Sequence, residues 1–75
     1  MSEFVICIGN DGNSASLIVG KVYRTLPDPE ARARNLLRVV DEDVSEPDGY
    51  LYPTTMFVPL ELPEEAKRAL MAVEG

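Results

Sequence analysis

The chain has 75 residues, of which 45% are hydrophobic and 27% charged, and 13 acidic residues against 7 basic ones give a formal net charge of -6. A chain of this length folds as one domain with a small core and buries only roughly 60% of the surface that its unfolded form exposes. The acidic balance repels phosphate backbones, so we expect no nucleic-acid partner. The apolar run at residues 4–8 (FVICI) is too short for a signal peptide or a membrane span, so we expect a cytoplasmic protein without membrane association.

The side chains that most often carry catalysis or hold metals are scarce. The sequence has no histidine and a single cysteine, Cys7, which excludes an internal disulfide and a zinc site built from Cys and His. No Ser or Thr stands in a context that predicts a neighbouring base. We therefore expect a noncatalytic protein without a cofactor, in which Cys7 is a buried and unreactive thiol.

The N-terminal third predicts two strands. Residues 3–8 are β-branched and aromatic, and the following residues 9–13 (GNDGN) are typical of a turn. Residues 14–26 carry apolar side chains at strand-like spacing, and the parity slips around Gly20; the two sets are Leu17, Val19 and Tyr23, and Ile18, Val22 and Leu26. A glycine inside a strand pattern predicts a bulge or a sharp bend.

Residues 27–35 predict a short helix inside a loop. Asp28 can cap the helix, Pro29 suits its first position, and Glu30 faces the positive end of the helix dipole. Asn35 tolerates the left-handed conformation in which helices end. A polar loop without a helix is the alternative.

The C-terminal half predicts a hairpin, a final strand and a helix. Residues 36–41 and 49–53 form the hairpin, with the turn-forming pair DG at 48–49 and an acidic loop between the strands. Pro53 cannot donate a ladder hydrogen bond, so the chain leaves the sheet there, turns, and returns as a strand over residues 57–62. A helix over about residues 63–73 follows, with Pro63 and two glutamates in its first turn. Its apolar stripe packs on the barrel or on another subunit, and comprises Leu62, Ala66, Leu70 and Val73.

The acidic loop places five carboxylates between residues 41 and 48, which raises the possibility of a cation site. An EF-hand loop that began at Asp41 would need glycine at its sixth position and glutamate at its twelfth, where Glu46 and Tyr52 stand. We therefore interpret this segment as a solvated hairpin loop and expect no metal.

The aromatic side chains divide into core and rim. At period two, Tyr50 and Tyr52 share one face of their strand. We expect Tyr52 and Phe57 to be buried, and Tyr23 and Tyr50 to lie at the rim, where a tyrosine buries its ring and keeps its hydroxyl in water.

Two arginines, Arg24 and Arg38, lie on strands predicted to be close neighbours. They pair with the surplus of acids around them or read a carboxylate or phosphate on a partner. The candidate partner-binding residues are Tyr23, Tyr50, Arg24, Arg38 and Leu70.

Two stretches resemble domains of the Src-homology-3 type. Residues 16–26 (SLIVGKVYRTL) are similar to the segment in which a hydrophobic residue and a glycine precede a long strand, and residues 50–58 (YLYPTTMFV) are similar to the proline, turn and aromatic ending of those domains. The turn here is one residue longer than usual. The resemblance implies an inward Tyr52, a 3₁₀ turn after Pro53, and a last strand that opens with Phe57 and Val58.

The resemblance does not extend to the ligand groove. Peptide-binding domains of this type use a tyrosine-rich N-terminal motif and a tryptophan to hold polyproline helices, and this chain has no tryptophan. Most of the chain is also similar to a group of small bacterial proteins with the pattern GKVY, LPD, LRVxDE, YLYP and F, here residues 20–23, 26–28, 37–42, 50–53 and Phe57. That similarity implies a small β-barrel and carries no activity with it.

The sequence thus predicts one domain over residues 1–75: a mainly β, Src-homology-3-like barrel of about five antiparallel strands over residues 3–62, with a short loop helix and a C-terminal helix. For function we expect a protein–protein interaction or accessory module that binds a protein partner or its own copy. The alternative is a regulatory protein that binds a cation or a small ligand through the acidic loop at residues 41–48.

Overall fold

The computed structural model describes residues 3–43 and 45–74. Five antiparallel strands form one sheet in the order β4-β3-β2-β1-β5, namely β1 (Phe4–Cys7), β2 (Val22–Leu26), β3 (Leu36–Val40), β4 (Tyr50–Pro53) and β5 (Phe57–Leu60). Helix α1 (Pro29–Ala33) joins β2 to β3, a 3₁₀ turn (Thr54–Met56) joins β4 to β5, and helix α2 (Glu64–Glu74) follows β5. The fold is the expected one: mainly β, with five antiparallel strands, a short loop helix and a C-terminal helix.

The core lies on one face of the bent sheet and receives side chains from every strand. Successive strand residues point to opposite faces, so the register of Val5 with Tyr23, and of Leu37 with Tyr52, sets which side chains meet there. The rings of Tyr52 and Phe57 pack edge to face across the 3₁₀ turn, with their centroids 6.1 Å apart. The buried cluster comprises Val5, Cys7, Leu17, Tyr23, Val39, Tyr52 and Phe57. The predicted burial of Cys7, Tyr52 and Phe57 is confirmed.

Tyr23 is a core residue, so its predicted place at the rim is wrong. It is only 3% exposed, because its pairing with Val5 turns its ring toward the core face of the sheet. Tyr50 is 41% exposed, which agrees with the prediction for the other rim tyrosine.

Residues 14–19, before Gly20, form a loop, although the sequence pattern predicts strand structure there. The chain bends at Gly20, where φ is +90°, and β2 begins only at Val22. Leu17 is fully buried within this loop, and its backbone N–H donates to the carbonyl of Asn13 over 2.9 Å. The change of parity at Gly20 therefore corresponds to the bend between this loop and β2.

Helix α1 forms as its capping residues predict, and the alternative of a loop without a helix is wrong. The side chain of Asp28 accepts a hydrogen bond from the backbone N–H of Ala31 over 3.1 Å, and Pro29 occupies the first helical position. Asn35 follows the helix with φ of +60°. This compact connection brings β3 back antiparallel to β2.

Helix α2 uses part of its apolar stripe within its own chain. Leu62, Ala66 and Leu70 are half-buried, whereas the intervening Glu65 and Arg68 are exposed. The side chain of Val73, the fourth predicted member of the stripe, lies outside the described part of the chain. On the sheet, Phe4 is 1% exposed although it faces away from the core cluster, so this outer face is also covered where Phe4 lies.

The two edges of the sheet are short and interrupted. The edge strands β4 and β5 have 4 residues each, and each contains a proline, Pro53 or Pro59. A proline has no N–H to donate to an added strand, so these edges are poor templates for strand pairing between molecules.

Gly49 lies in the turn between β3 and β4, and we expect its substitution to destabilise the protein strongly. Its φ is +70°, and a Cβ atom at this position would lie 2.5 Å from the backbone oxygen of Val39. We expect Gly49→Ala to lower the free energy of unfolding by more than about 2 kcal/mol, since backbone strain and a clash with rigid backbone combine. Urea denaturation measures this loss.

Gly12→Ala is the matched control for this substitution. Gly12 has a similar φ of +77°, but nothing lies within 4 Å of an added Cβ. Only the backbone strain remains, about 1 kcal/mol. Equal losses for the two variants would contradict the close approach of the hairpin at Gly49.

Candidate functional site

The acidic loop, residues 41–48, joins β3 to β4 as predicted, but it is not simply solvated. Asp41 is 7% exposed, and its carboxylate accepts hydrogen bonds from the Tyr52 hydroxyl and from the backbone N–H of Asp43. Asp43 in turn accepts from the hydroxyl and the backbone N–H of Ser45. The description of a solvated loop is therefore wrong for its first residue, because a tyrosine hydroxyl reaches out of the core to hold that carboxylate.

Tyr23 holds the second acid of the loop. Its hydroxyl donates to Oε2 of Glu42 over 2.6 Å and accepts the backbone N–H of Ile18 over 2.9 Å. The same Glu42 oxygen receives Nζ of Lys21, which also lies 5.4 Å from the centroid of the Tyr23 ring. The hydrogen bonds from Lys21 and Tyr23 lower the pKa of Glu42, whereas burial and the Glu42 carboxylate raise the pKa of Tyr23.

Tyr52 makes the corresponding contact on β4. Its hydroxyl donates to Oδ2 of Asp41 and lies 3.0 Å from Oγ of Ser16. The backbone N–H of Glu42 donates to the carbonyl oxygen of the same Ser16 over 3.0 Å. Burial, followed by the Asp41 carboxylate, raises the pKa of Tyr52. Both tyrosine hydroxyls thus fasten the acidic loop to the loop that precedes β2.

The carboxylates do not assemble into a cation site in the part of the chain that the structure describes. Within residues 3–43 and 45–74 there is no group of three or more His, Cys, Asp or Glu side chains that could hold a metal ion. Hard cations need several oxygen ligands together. Nothing among these residues therefore favours the cation-binding alternative.

A cavity of about 450 Å³ lies between β2, β3, the acidic loop and α2. Arg24 and Leu70, two of the predicted partner-binding residues, both line it, together with Val40. The Arg24 side chain stands on the outer face of the sheet, in register with Phe4 on one side and Val40 on the other. Its Nε atom is buried and has no hydrogen-bond partner among the described residues.

The other predicted partner-binding residues are not gathered around this cavity. Arg38 is on the same face as Arg24, as expected of neighbouring strands, but its Nε donates to Asp28 over 2.9 Å. That contact and the bond from the backbone N–H of Ala31 lower the pKa of Asp28, with the backbone bond the larger cause. Tyr50 lines a separate shallow depression of about 350 Å³ on the other side of the acidic loop.

Sequence reasoning missed a group of exposed apolar side chains around the end of β1. Ile8 is 55% exposed, Val19 54%, Ile18 50% and Val58 43%. Val58 pairs with Ile6, two residues before Ile8 on the same face of the sheet, and the N–H of Gly20 donates to the carbonyl of Cys7. We call Ile8, Ile18, Val19 and Val58 the apolar patch. Because residues 4–8 are all apolar, the sequence does not show which of them face outward, and the approach of Ile8 to residues 18–20 depends on the fold.

Comparison of the chain with protein-family models, with curated proteins and with solved structures found no match. No helix in the described residues has the length and apolar character needed to cross a membrane.

The tyrosines set an upper limit to the pH range in which the folded protein is stable. The pKa values of Tyr23, Tyr50 and Tyr52 are all raised above the usual value of about 10. A group with a raised folded-state pKa contributes stability that is fully present below its unfolded pKa and is lost as the pH rises through the folded value. We therefore expect the free energy of unfolding to fall as the pH rises above about 10.

Absorbance at 295 nm, recorded with circular dichroism across this range, separates ionisation from unfolding. We expect tyrosinate to appear together with the loss of structure. The variant Tyr50→Phe keeps the buried hydroxyls of Tyr23 and Tyr52, so the pH at which the protein unfolds should not change. Ionisation of two or more tyrosines near pH 10 in a chain that stays folded would contradict the raised pKa values.

Proposed function

We propose that the chain is a noncatalytic protein-interaction module that docks through the apolar patch. The observation that carries the proposal is the concentration of four large apolar side chains, each 43–55% exposed, around the end of β1. Scattered apolar side chains are normal on protein surfaces, but several exposed ones that the backbone brings to one end of a strand are typical of an interaction site.

The partner that we propose first is a second copy of the chain. A twofold contact would place the patch of one molecule against the same patch of the other and bury the apolar side chains of both. The short, proline-containing edges of β4 and β5 disfavour the alternative route of strand addition. Because each copy carries a net charge of -6, repulsion opposes the contact, and we expect it to be weak and to strengthen as salt screens the charges.

Sedimentation velocity at several protein and salt concentrations tests this proposal. We expect a monomer–dimer equilibrium that shifts toward the dimer as ionic strength rises. Ile8→Asp and Val58→Asp should each weaken dimerisation by at least about tenfold, since an unpaired charge in an apolar contact costs more than about 1.4 kcal/mol. Both positions are exposed, so the melting temperature should change little.

Leu51→Asp is the matched control. Leu51 is 43% exposed, as Val58 is, and lies on β4 at the opposite edge of the sheet. It should leave the dimer intact. A wild-type chain that stays monomeric at every concentration and salt, or an equal loss from Leu51→Asp, would contradict docking of two copies through the apolar patch.

A further inference from the structure

Arg24 occupies an unusual place for a cationic side chain. It stands in β2, at the centre of the sheet, between Phe4 of β1 and Val40 of β3. Its Nε atom is buried without a hydrogen-bond partner in the described residues, and the side chain lines the cavity of about 450 Å³. A buried donor that is left unpaired is costly, so it is rare in folded proteins and calls for an acceptor.

Two of the acids that share the cavity wall, Asp41 and Glu42, accept hydrogen bonds from other residues. Glu42 receives Lys21 and Tyr23, and Asp41 receives Tyr52. The Nε atom of Arg24 donates a hydrogen bond to none of the acids in the part of the chain that the structure describes. Arg24 therefore brings an unsatisfied donor, its Nε atom, to the wall of the cavity.

The other residues that line the cavity indicate that the rest of the ligand is apolar. Apolar side chains from both strands, the acidic loop and α2 form much of the wall, namely Val22, Leu26, Val40, Pro47 and Leu70. A volume of this size is within the range of roughly 300–1,000 Å³ that is usual for small-molecule sites. An apolar chain fits such walls, and a carboxylate matches the planar donors of a guanidinium.

We propose that this cavity binds a small monocarboxylic acid, with its carboxylate on Arg24 and its apolar chain against Val40 and Leu70. We expect the site to prefer a ligand with a single negative charge. Glu46 and Asp43 also line the cavity, and the whole chain carries a net charge of -6, so a second negative group on the ligand would be repelled. This binding site is separate from the apolar patch and goes beyond the docking function proposed above.

Thermal unfolding with three six-carbon probes tests the ligand class. Hexanoate should raise the melting temperature, by roughly 5–10 °C at about ten times its Kd, because it binds only the folded state. Adipate, with a second carboxylate, and hexanol, with none, should have much smaller effects. In nitrogen–proton correlation spectra, the Nε–Hε signal of Arg24 should move with hexanoate and stay in place with hexanol. Equal responses to hexanoate and hexanol would overturn the role of the carboxylate.

Two variants separate a binding arginine from a structural one. Arg24→Met removes the unpaired donor and keeps an apolar stem, so the ligand-free melting temperature should stay the same or rise, while the response to hexanoate is lost. Arg34→Met, an exposed residue beyond α1, is the control and should keep the response. A ligand-free Arg24→Met protein that melts several degrees lower would show that Arg24 has a structural partner, and would overturn the proposal.

Leu70→Phe provides a second test that leaves Arg24 in place. The larger ring should occupy the cavity from the side of α2 and reduce hexanoate binding by at least about tenfold. If hexanoate still shifted the Arg24 signal with unchanged affinity in this variant, the ligand would lie outside the cavity and the proposed site would be wrong.

Discussion

The hydrogen bond from the Tyr52 hydroxyl to the Asp41 carboxylate is the contact on which the arrangement of the loops depends. Among the described residues, the core cluster has seven buried apolar side chains, which is too small a core to enclose two long loops as well as the sheet. Tyr52 links the core to both loops, since its ring packs against Phe57 in the core and its hydroxyl reaches Asp41 and Ser16 at the border of the core. A buried carboxylate is costly unless it is hydrogen-bonded, so this contact strongly favours one position of the loop.

Tyr23 makes a second hydrogen bond of this kind, to the next residue of the acidic loop. Its ring belongs to the same core cluster, and its hydroxyl joins Glu42 of the acidic loop to Ile18 of the loop before β2. Together, the two hydroxyls fix one wall of the cavity in which Arg24 stands. They also fix the loop that carries Ile18 and Val19, which form half of the apolar patch. Both proposed binding surfaces therefore depend on polar contacts made by core residues.

The elements that sequence reasoning found are those with local causes. Asp28 and Pro29 start α1 by capping chemistry, Gly49 permits the left-handed turn of the hairpin, and Pro53 ends β4 because it lacks an N–H. Each cause operates within a few residues, so it is visible without the fold.

The features that escaped prediction are set by contacts between distant segments. The sequence pattern predicts strand structure before Gly20, yet residues 14–19 form a loop that is anchored by Leu17 and by the hydroxyl of Tyr23. The sequence predicts that Asp41 is one of several solvated acids, but Tyr52, 11 residues later, donates a hydrogen bond to it. The unpaired Nε of Arg24 could not be foreseen either, because composition suggested that an acid would be available to every arginine.

A double-mutant cycle on Tyr52 and Asp41 tests most directly whether this contact holds the acidic loop. The free energies of unfolding of Tyr52→Phe, Asp41→Ala and the double variant are measured by urea denaturation at neutral pH. The same cycle on the exposed contact between Tyr50 and Asp43, whose hydroxyl and carboxylate oxygens are 3.2 Å apart, serves as the reference. We expect a coupling energy of about 1–3 kcal/mol for the buried pair and less than about 0.5 kcal/mol for the exposed one. Additive effects at Tyr52 and Asp41 would contradict the account.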